Sequence, residues 1–365
     1  MRLLFVGTSP FMRGTETHLV SLARAMAGAG HAVACVAHPE GYVARELGAH
    51  GLAVEPGIFR NALDPRGARA VLRALRRERP DWLVGSFGHE YWPLLGLGRL
   101  TGVRVALFRH LNAPLKPSSR VLLPRLAHRF IAVSESMRAL LVSRGVAEGR
   151  VQLLYNPLDV THFRPEPALR ARTRAELGLA EEDVLVGYVG PLDARKGAFG
   201  LAEALNQAMP AHPRLRALWV GQESTHARLR ERLAPALQAR HHLRGWTHDV
   251  RPFYAAMDAL AVPSELMESF GRVSIEAQAL EVPVLASRIG GLPESLEEGT
   301  TGWLLPPGDV AAWRDALGDL AQMPPERRRE MGAAGRRFVT GHFALPLIAE
   351  RFAALLGPGA SSGPG

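Results

Sequence analysis

Short apolar runs separated by amphipathic stretches and Gly/Pro turns set the first expectation. Leu3–Gly7 reads as a strand, followed by a loop over Thr8–Thr17, a helix from about Glu16 to Ala29 stopped by Gly30, and a second strand at Val33–Ala37. That β-loop-α-β order opens parallel, doubly wound sheets. Further buried strands are predicted at Trp82–Val84 and Val103–Phe108, then at Val184–Gly190, Leu215–Gly221, Leu243–Thr247 and Val282–Ser287. Helices are predicted at Pro65–Arg79, Asp249–Met257, Asp309–Leu320 and Phe343–Leu356. Pro165 and Pro167 stiffen the segment between the halves, as a domain boundary would. The fold class read from this pattern is α/β, with two Rossmann-like domains of doubly wound parallel sheet. The boundaries are 1–162, 163–341, a last helix over 342–357, and a flexible tail over 358–365.

Composition narrows the class. A chain of 365 residues is long enough for two cores, and 47% apolar with 22% charged residues argues against disorder. The most apolar long stretch, Trp92–Phe108, is broken by Arg99 and Arg104, so no membrane span is expected. The N-terminal apolar run is too short for a signal peptide. The one cysteine, Cys35, cannot form an internal disulfide, which fits a reducing cytoplasm. Residues 1–150 hold 21 Lys and Arg against 10 Asp and Glu, and the remainder holds 23 against 25. The basic half therefore expects an anionic partner. No nucleic-acid motif is present, and few aromatics interleave the arginines.

Two stretches carry that basic charge. On Pro65–Arg79, Arg66, Arg69, Arg73 and Arg76 share one helical face and Val71, Leu72 and Leu75 another, with only Glu78 nearby as a balancing acid. Lys116–Arg129 sets Arg120, Arg125, His128 and Arg129 around Val121, Leu122, Leu123 and Leu126. A solvated face is the plain reading, and an anionic membrane or acceptor surface is the alternative.

The candidate chemistry lies in Pro263–Glu294. Glu268 and Glu276 are eight residues apart, which on one helix sets them about 80° apart in direction. They can still meet one ligand if Glu268 stands in the loop before the helix. Ser269 is the expected N-cap, leaving the N–H groups of Phe270, Gly271 and Arg272 free to face an anion. Gly290-Gly291 follows as a turn. Two surface glutamates around an ordinary helix is the bland reading.

This block, read with Lys196-Gly197 upstream, resembles the Glu-x7-Glu region of the retaining glycosyltransferase family 4. The resemblance implies the two-domain GT-B fold, with an acceptor-binding first domain facing a donor-binding second domain across a cleft and a C-terminal helix returning to the first. It also implies transfer of a sugar from a nucleotide-diphosphate donor to an acceptor hydroxyl, with no metal or other cofactor. Carried over residue by residue, Glu268 lies beside the donor sugar and Glu276 holds the ribose. Lys196, with Arg272 and the helix start at Phe270 and Gly271, neutralises the diphosphate. Trp246 belongs to the segment that meets the base. His110, just past a strand, corresponds to a family histidine near sugar and acceptor, with His89 a weaker candidate. Gly14 is what remains of a paired-glycine loop near the donor phosphate or acceptor.

Three departures stand out. Pro191 replaces the family arginine, for which Arg195 or Arg272 is a compensating cation. Pro157 and Glu281 each replace a glycine. The readings left open are a glycosyltransferase, a sugar-nucleotide epimerase or phosphorylase on the same fold, and a non-catalytic sugar-nucleotide-binding protein. A glycosidase needs two carboxylates but no diphosphate cradle. The basic first domain suggests a glycolipid or lipopolysaccharide-type acceptor, and a place in the cytoplasm or on the inner face of its membrane.

Overall fold

The computed structural model describes residues 1–357, so the predicted tail 358–365 lies outside the described residues. The chain divides into two compact units. One comprises Met1–Asp159 with the C-terminal segment from Phe343, and the other comprises Val160–His342.

The first unit has seven parallel strands: β1 Arg2–Gly7, β2 Ala32–Ala37, β3 Ala53–Pro56, β4 Trp82–Gly85, β5 Arg104–Arg109, β6 Arg129–Ala132 and β7 Gln152–Leu153. Their order is β3-β2-β1-β4-β5-β6-β7. Strand residues alternate between two cores because successive side chains face opposite ways. Leu3, Phe5, Val84 and Phe108 pack with Leu19, Leu22 and Met26 of the helix Gly14–Gly28. Leu4, Val6, Leu83 and Leu107 pack with Val71, Leu75 and Leu94 on the opposite face.

The C-terminal helix Leu345–Leu356 belongs to this unit. Ile348 and Phe352 enter its core, and the Phe108 and Phe352 rings are 5.4 Å apart. Arg129 Nε donates to Leu355 O at 2.5 Å, and Leu158 N–H donates to Phe343 O at 2.7 Å. Arg129 is therefore buried on β6 rather than displayed on a basic face, which corrects its sequence assignment.

The second unit has six parallel strands: β8 Val184–Val189, β9 Leu215–Val220, β10 His241–Arg244, β11 Ala259–Val262, β12 Val284–Ser287 and β13 Gly302–Leu305. Their order is β10-β9-β8-β11-β12-β13. Both faces of the central strands β8, β11 and β12 are covered, which is why these read as apolar runs, while the edge strand β10 is polar and partly exposed. Tyr188, Trp219 and Leu285 pack on Leu201, Leu205 and Trp313, while Leu185, Leu218, Val262 and Ala286 pack on Tyr254, Ala277 and Leu280.

The helix Pro167–Glu176 occupies what the prolines suggested was linker. Its Arg170 and Arg174 pair with Asp258 at 2.7 and 3.1 Å, which fastens it to the sheet. The helix Pro325–Phe343 has no predicted counterpart. Glu281 sits at φ +62°, where a glycine is favoured, so the family glycine at this position marks a backbone requirement rather than a free surface choice.

Candidate functional site

In the second sheet the crossovers diverge at β8, whose neighbours β9 and β11 lie on opposite sides. Ligands of open α/β sheets bind at such switch points, beyond the carboxyl ends of the strands. The loops leaving β8, β11 and β12 meet there.

Gly197 makes the first approach possible. It lies at φ +71°, and a Cβ there would fall 1.8 Å from Pro263 O. The N–H groups of Glu265 and Leu266 donate to Arg195 O at 3.1 and 3.2 Å, joining the two loops. Lys196 N–H donates to Asp193 Oδ1 at 3.0 Å, and Lys196 Nζ forms an ion pair with Glu268 Oε1. Ser264 Oγ donates to the same carboxylate at 2.6 Å.

Gly290 and Gly291 close the third side. Gly291 N–H donates to Glu268 O at 2.9 Å, and a Cβ on Gly290 (φ +58°) would lie 2.3 Å from that oxygen. Glu268 is thus fixed through its main chain by one loop and through its side chain by another.

The helix starts later than expected. It runs Arg272–Ala279, its N-cap is Gly271 at φ +112°, and no side chain caps it. Ser269 is not the cap, because the left-handed Gly271 turns the chain into the helix two residues beyond it. Phe270 is buried, so its ring supports the turn. Arg272 Nε donates to Glu276 Oε1 at 2.6 Å across one helical turn, and Tyr254 O–H donates to Glu276 Oε2 at 3.1 Å. Tyr254 is fully buried and was not singled out from the sequence, since one tyrosine in a short helix carries no motif. Arg272 Nη1 is buried without a protein partner. A buried, unpaired guanidinium nitrogen at a helix start suits an anion.

The two acids therefore each hold their own cation, Glu268 with Lys196 and Glu276 with Arg272. Arg195 is largely exposed and pairs with Asp193 at 3.0 Å, so its charge is partly engaged away from the loops. Trp246 follows β10 at the sheet margin, half exposed, with its ring 4.5 Å from that of His248. The chain has two lysines among its 44 Lys and Arg, and one of them is Lys196. In an arginine-rich chain that choice of a compact ammonium is itself a signal.

The first unit has its own switch point at β1, between β2 and β4. Gly14 is the first residue of the helix Gly14–Gly28, not part of a loop, and a Cβ there would touch nothing within 4 Å. The loop expected over Thr8–Thr17 is thus shorter. His110 follows β5 directly and is buried, its ring 4.5 Å from His18 and stacked 5.9 Å from Phe108. Burial, then the Arg109 charge, push His110 down to about 3, so it acts as a neutral imidazole. His89 is partly exposed, 3.8 Å from Glu90 Oε1, and burial lowers its pKa as well.

Sequence reasoning passed over two buried carboxylates here. Glu90 Oε1 accepts from Thr8 N–H at 2.9 Å and Thr8 Oγ1 at 2.7 Å, and Ser9 Oγ donates to Glu16 Oε1. The second oxygen of each acid is buried without a protein partner. Burial pushes Glu90 up to about 7, with the Glu16 charge adding to the rise and the Thr8 hydrogen bonds opposing it.

Of the arginine stripe on the helix Pro65–Glu78, Arg73 and Arg77 pair with Glu55 at 2.9 and 2.8 Å. That balancing acid comes from β3, so a reading along the helix alone missed it. Arg66, Arg69 and Arg76 stay exposed. On the helix Pro117–Leu126, Val121, Leu122 and Leu126 are exposed beside Arg125, with Arg120 half-buried. Among the described residues no helix is long and apolar enough to cross a membrane, and no group of three or more His, Cys, Asp or Glu is placed to hold a metal ion.

Comparison with known proteins matches residues 170–338 to the family described as glycosyl transferases group 1, and residues 12–162 to the family described as Glycosyltransferase Family 4. A D-inositol 3-phosphate glycosyltransferase of Nocardia farcinica is 34% identical over 321 residues, covering 78% of this chain and 70% of that protein. A GDP-mannose-dependent alpha-(1-6)-phosphatidylinositol monomannoside mannosyltransferase of Mycolicibacterium smegmatis is 34% identical over 209 residues, covering 55% and 54%. Across eight of the curated relatives it matches, the chain spans 41% to 75% of their length. The solved structure of Anabaena Alr3699/HepE in complex with UDP and glucose superposes with a TM-score of 0.85 at 22% identity, covering 98% of this chain and 99% of that one. That likeness, with the two parallel sheets, establishes the GT-B fold.

Proposed function

The chain belongs to the group 1 glycosyltransferases, and from that premise we propose that it transfers a sugar from a nucleotide-diphosphate donor to an acceptor hydroxyl with retention of configuration. The observation that carries this reading is the pairing of two cations with two acids around the loops that leave β8, β11 and β12. Lys196 and Arg272 meet the diphosphate, whose charge grows as the bond to the sugar breaks. Arg272 Nη1 has no protein acceptor to surrender, which makes it the compensating cation for Pro191 in preference to Arg195.

Glu276, held by Tyr254 and Arg272, accepts from the ribose hydroxyls. Glu268, held by Lys196 and Ser264, accepts from a hydroxyl of the donor sugar. Trp246 lies against the base. Glu268 is tied into an ion pair, which favours direct transfer on one face of the sugar over attack by a carboxylate. The bond from the anomeric carbon to the phosphate oxygen breaks as the bond to the acceptor oxygen forms, and the acceptor proton passes to the departing phosphate.

Acceptor recognition falls to the first unit. His110 contributes hydrogen bonds as a neutral ring, and the loop at Thr8 and Ser9, braced by Glu90 and Glu16, shapes the same end of the sheet. The exposed Arg66, Arg69, Arg76 and Arg125 with Val121, Leu122 and Leu126 fit an anionic lipid surface. A relative named for a phosphatidylinositol monomannoside substrate agrees with a lipid-linked acceptor. The enzyme is then a peripheral protein of the inner membrane face.

A panel of UDP-, GDP- and ADP-sugars tests the donor assignment by thermal shift. A donor at 100 times its Kd adds about 2.7 kcal/mol to the stability of the unit that binds it. The anomeric coupling in the product then reports retention or inversion. Stabilisation by no nucleotide sugar would refute the donor reading, and an inverted product would refute the one-face mechanism. Flotation with anionic against neutral vesicles at low salt tests the lipid surface, and equal recovery on both would contradict it.

A further inference from the structure

A polar pocket of about 280 Å³ lies along the outer edge of the second sheet. Arg230, Leu233 and Gln238 form one wall, and the edge strand β10 with its residues His241, His242, Leu243 and Arg244 forms the other. Its volume is near the lower end for small-molecule pockets, about 300 Å³.

The tautomer of His241 gives the pocket its character. Trp219 Nε1–H lies 3.1 Å from His241 Nδ1. An indole nitrogen only donates, so Nδ1 must accept. In the neutral ring the proton then sits on Nε2. Burial, followed by the Arg240 and His242 charges, pushes His241 down to about 4, so the ring is neutral at physiological pH. His241 is 7% exposed, and its Nε2 is buried with no protein acceptor. His242 Nε2 is also buried without a partner. A buried donor left unmet is costly, and an incoming acceptor removes that cost.

None of the residues that line the walls carries a carboxylate. Arg230 is exposed, Gln238 carries an amide, and Arg244 spends only Nη1 on a main-chain contact, to Leu243 O at 3.0 Å. The acid whose charge reaches His242, Asp183, is taken by Arg216 at 3.1 Å. Arg240, the residue before the strand, is turned to Met209 O and Leu215 O at 2.8 and 3.1 Å.

We infer that this pocket binds a small phosphate monoester, a phosphorylated sugar or polyol, with Arg230 and Arg244 on the oxyanion and His241 Nε2–H completing its hydrogen bonds. β9 lies between β10 and β8, so the pocket is about two strand spacings, roughly 9.5 Å, from the loop that carries Lys196, while Trp246, assigned to the base, follows Arg244 by two residues and borders it. The inference does not depend on the transfer reaction, because it concerns binding alone.

Calorimetry of the full chain at low salt, with glucose 6-phosphate, inorganic phosphate and glucose as probes, tests it. Glucose 6-phosphate should bind saturably, inorganic phosphate more weakly, and glucose not at all, with the affinity unchanged by excess UDP or GDP. Arg230→Gln with Arg244→Gln removes two charge-assisted contacts and should weaken glucose 6-phosphate about 100-fold. Gln238→Glu, at an exposed position, puts a carboxylate in the pocket and should abolish binding without changing Tm. Nitrogen-detected spectra should place the His241 proton on Nε2 and show it shift on titration. The inference is overturned by no saturable binding at millimolar probe, by undiminished affinity in either variant, or by a proton on Nδ1. Displacement by UDP or GDP would also overturn it, since the pocket would then belong to the donor seat.

Discussion

Replacing Glu90 with glutamine should change how the first unit responds to pH. The native carboxyl is fully buried, and one oxygen takes both Thr8 donors while the other meets no protein group. Burial dominates its titration and carries it from 4.5 to about 7. Between those values the folded chain keeps a proton that the unfolded chain has lost. Stability therefore falls as pH rises through that window and levels off above it. A shift of roughly 2.5 units at 1.36 kcal/mol each gives a loss of about 3 kcal/mol by pH 8. Glutamine keeps an oxygen for Thr8 and cannot ionise. Glu90→Gln should match the parent near pH 4.5 and exceed it by about 2–3 kcal/mol near pH 8. Urea unfolding at a series of pH values, followed through the first unit's transition, measures the difference. A gap that does not change with pH, or a variant weaker than the parent at high pH, would show that Glu90 ionises as an ordinary carboxyl and refute the argument.

Other changes have equally definite outcomes. Gly290→Ala places a methyl 2.3 Å from Glu268 O at a positive φ, so the second unit should lose roughly 2 kcal/mol or more in denaturant, and nucleotide titration should weaken with it. Tyr254→Phe leaves Glu276 Oε2 without its donor, which should weaken donor binding about tenfold and raise the donor KM while the acceptor KM stays constant. Converting Arg66, Arg69 and Arg76 together to glutamine should reduce flotation with anionic vesicles at low salt and leave thermal stability unchanged, because these arginines are exposed outside the core.

The central strands were legible because they are buried on both faces and read as apolar runs; β3, β7 and β11 were not foreseen because they are short, and β10 runs His241–Arg244 rather than Leu243–Thr247 because its paired histidines break the apolar pattern. The pairing of Lys196 with Glu268 was legible in part, because the Glu-x7-Glu spacing, Lys196-Gly197 and Gly290-Gly291 are local signals. What they could not show is the contact that places them, the approach of Gly197 to Pro263 O. The helix start was misplaced because Ser269 has the chemistry of a cap, while the turn is made by the backbone freedom of Gly271. The helix Pro325–Phe343 escaped because it is polar and holds three glycines, one of which, Gly332, is needed where the helix lies against Glu281 O. Glu55 and Glu90 act on residues distant in sequence, so no window along the chain reveals them.

The most direct test of the donor seat is calorimetry with a nucleoside diphosphate and its parent nucleoside on the parent chain and on Lys196→Met. The account predicts that the diphosphate binds the parent more tightly than the nucleoside does. It further predicts that Lys196→Met weakens the diphosphate by about tenfold or more and leaves the nucleoside unchanged. Equal weakening of both, or an unaltered diphosphate affinity, would contradict it.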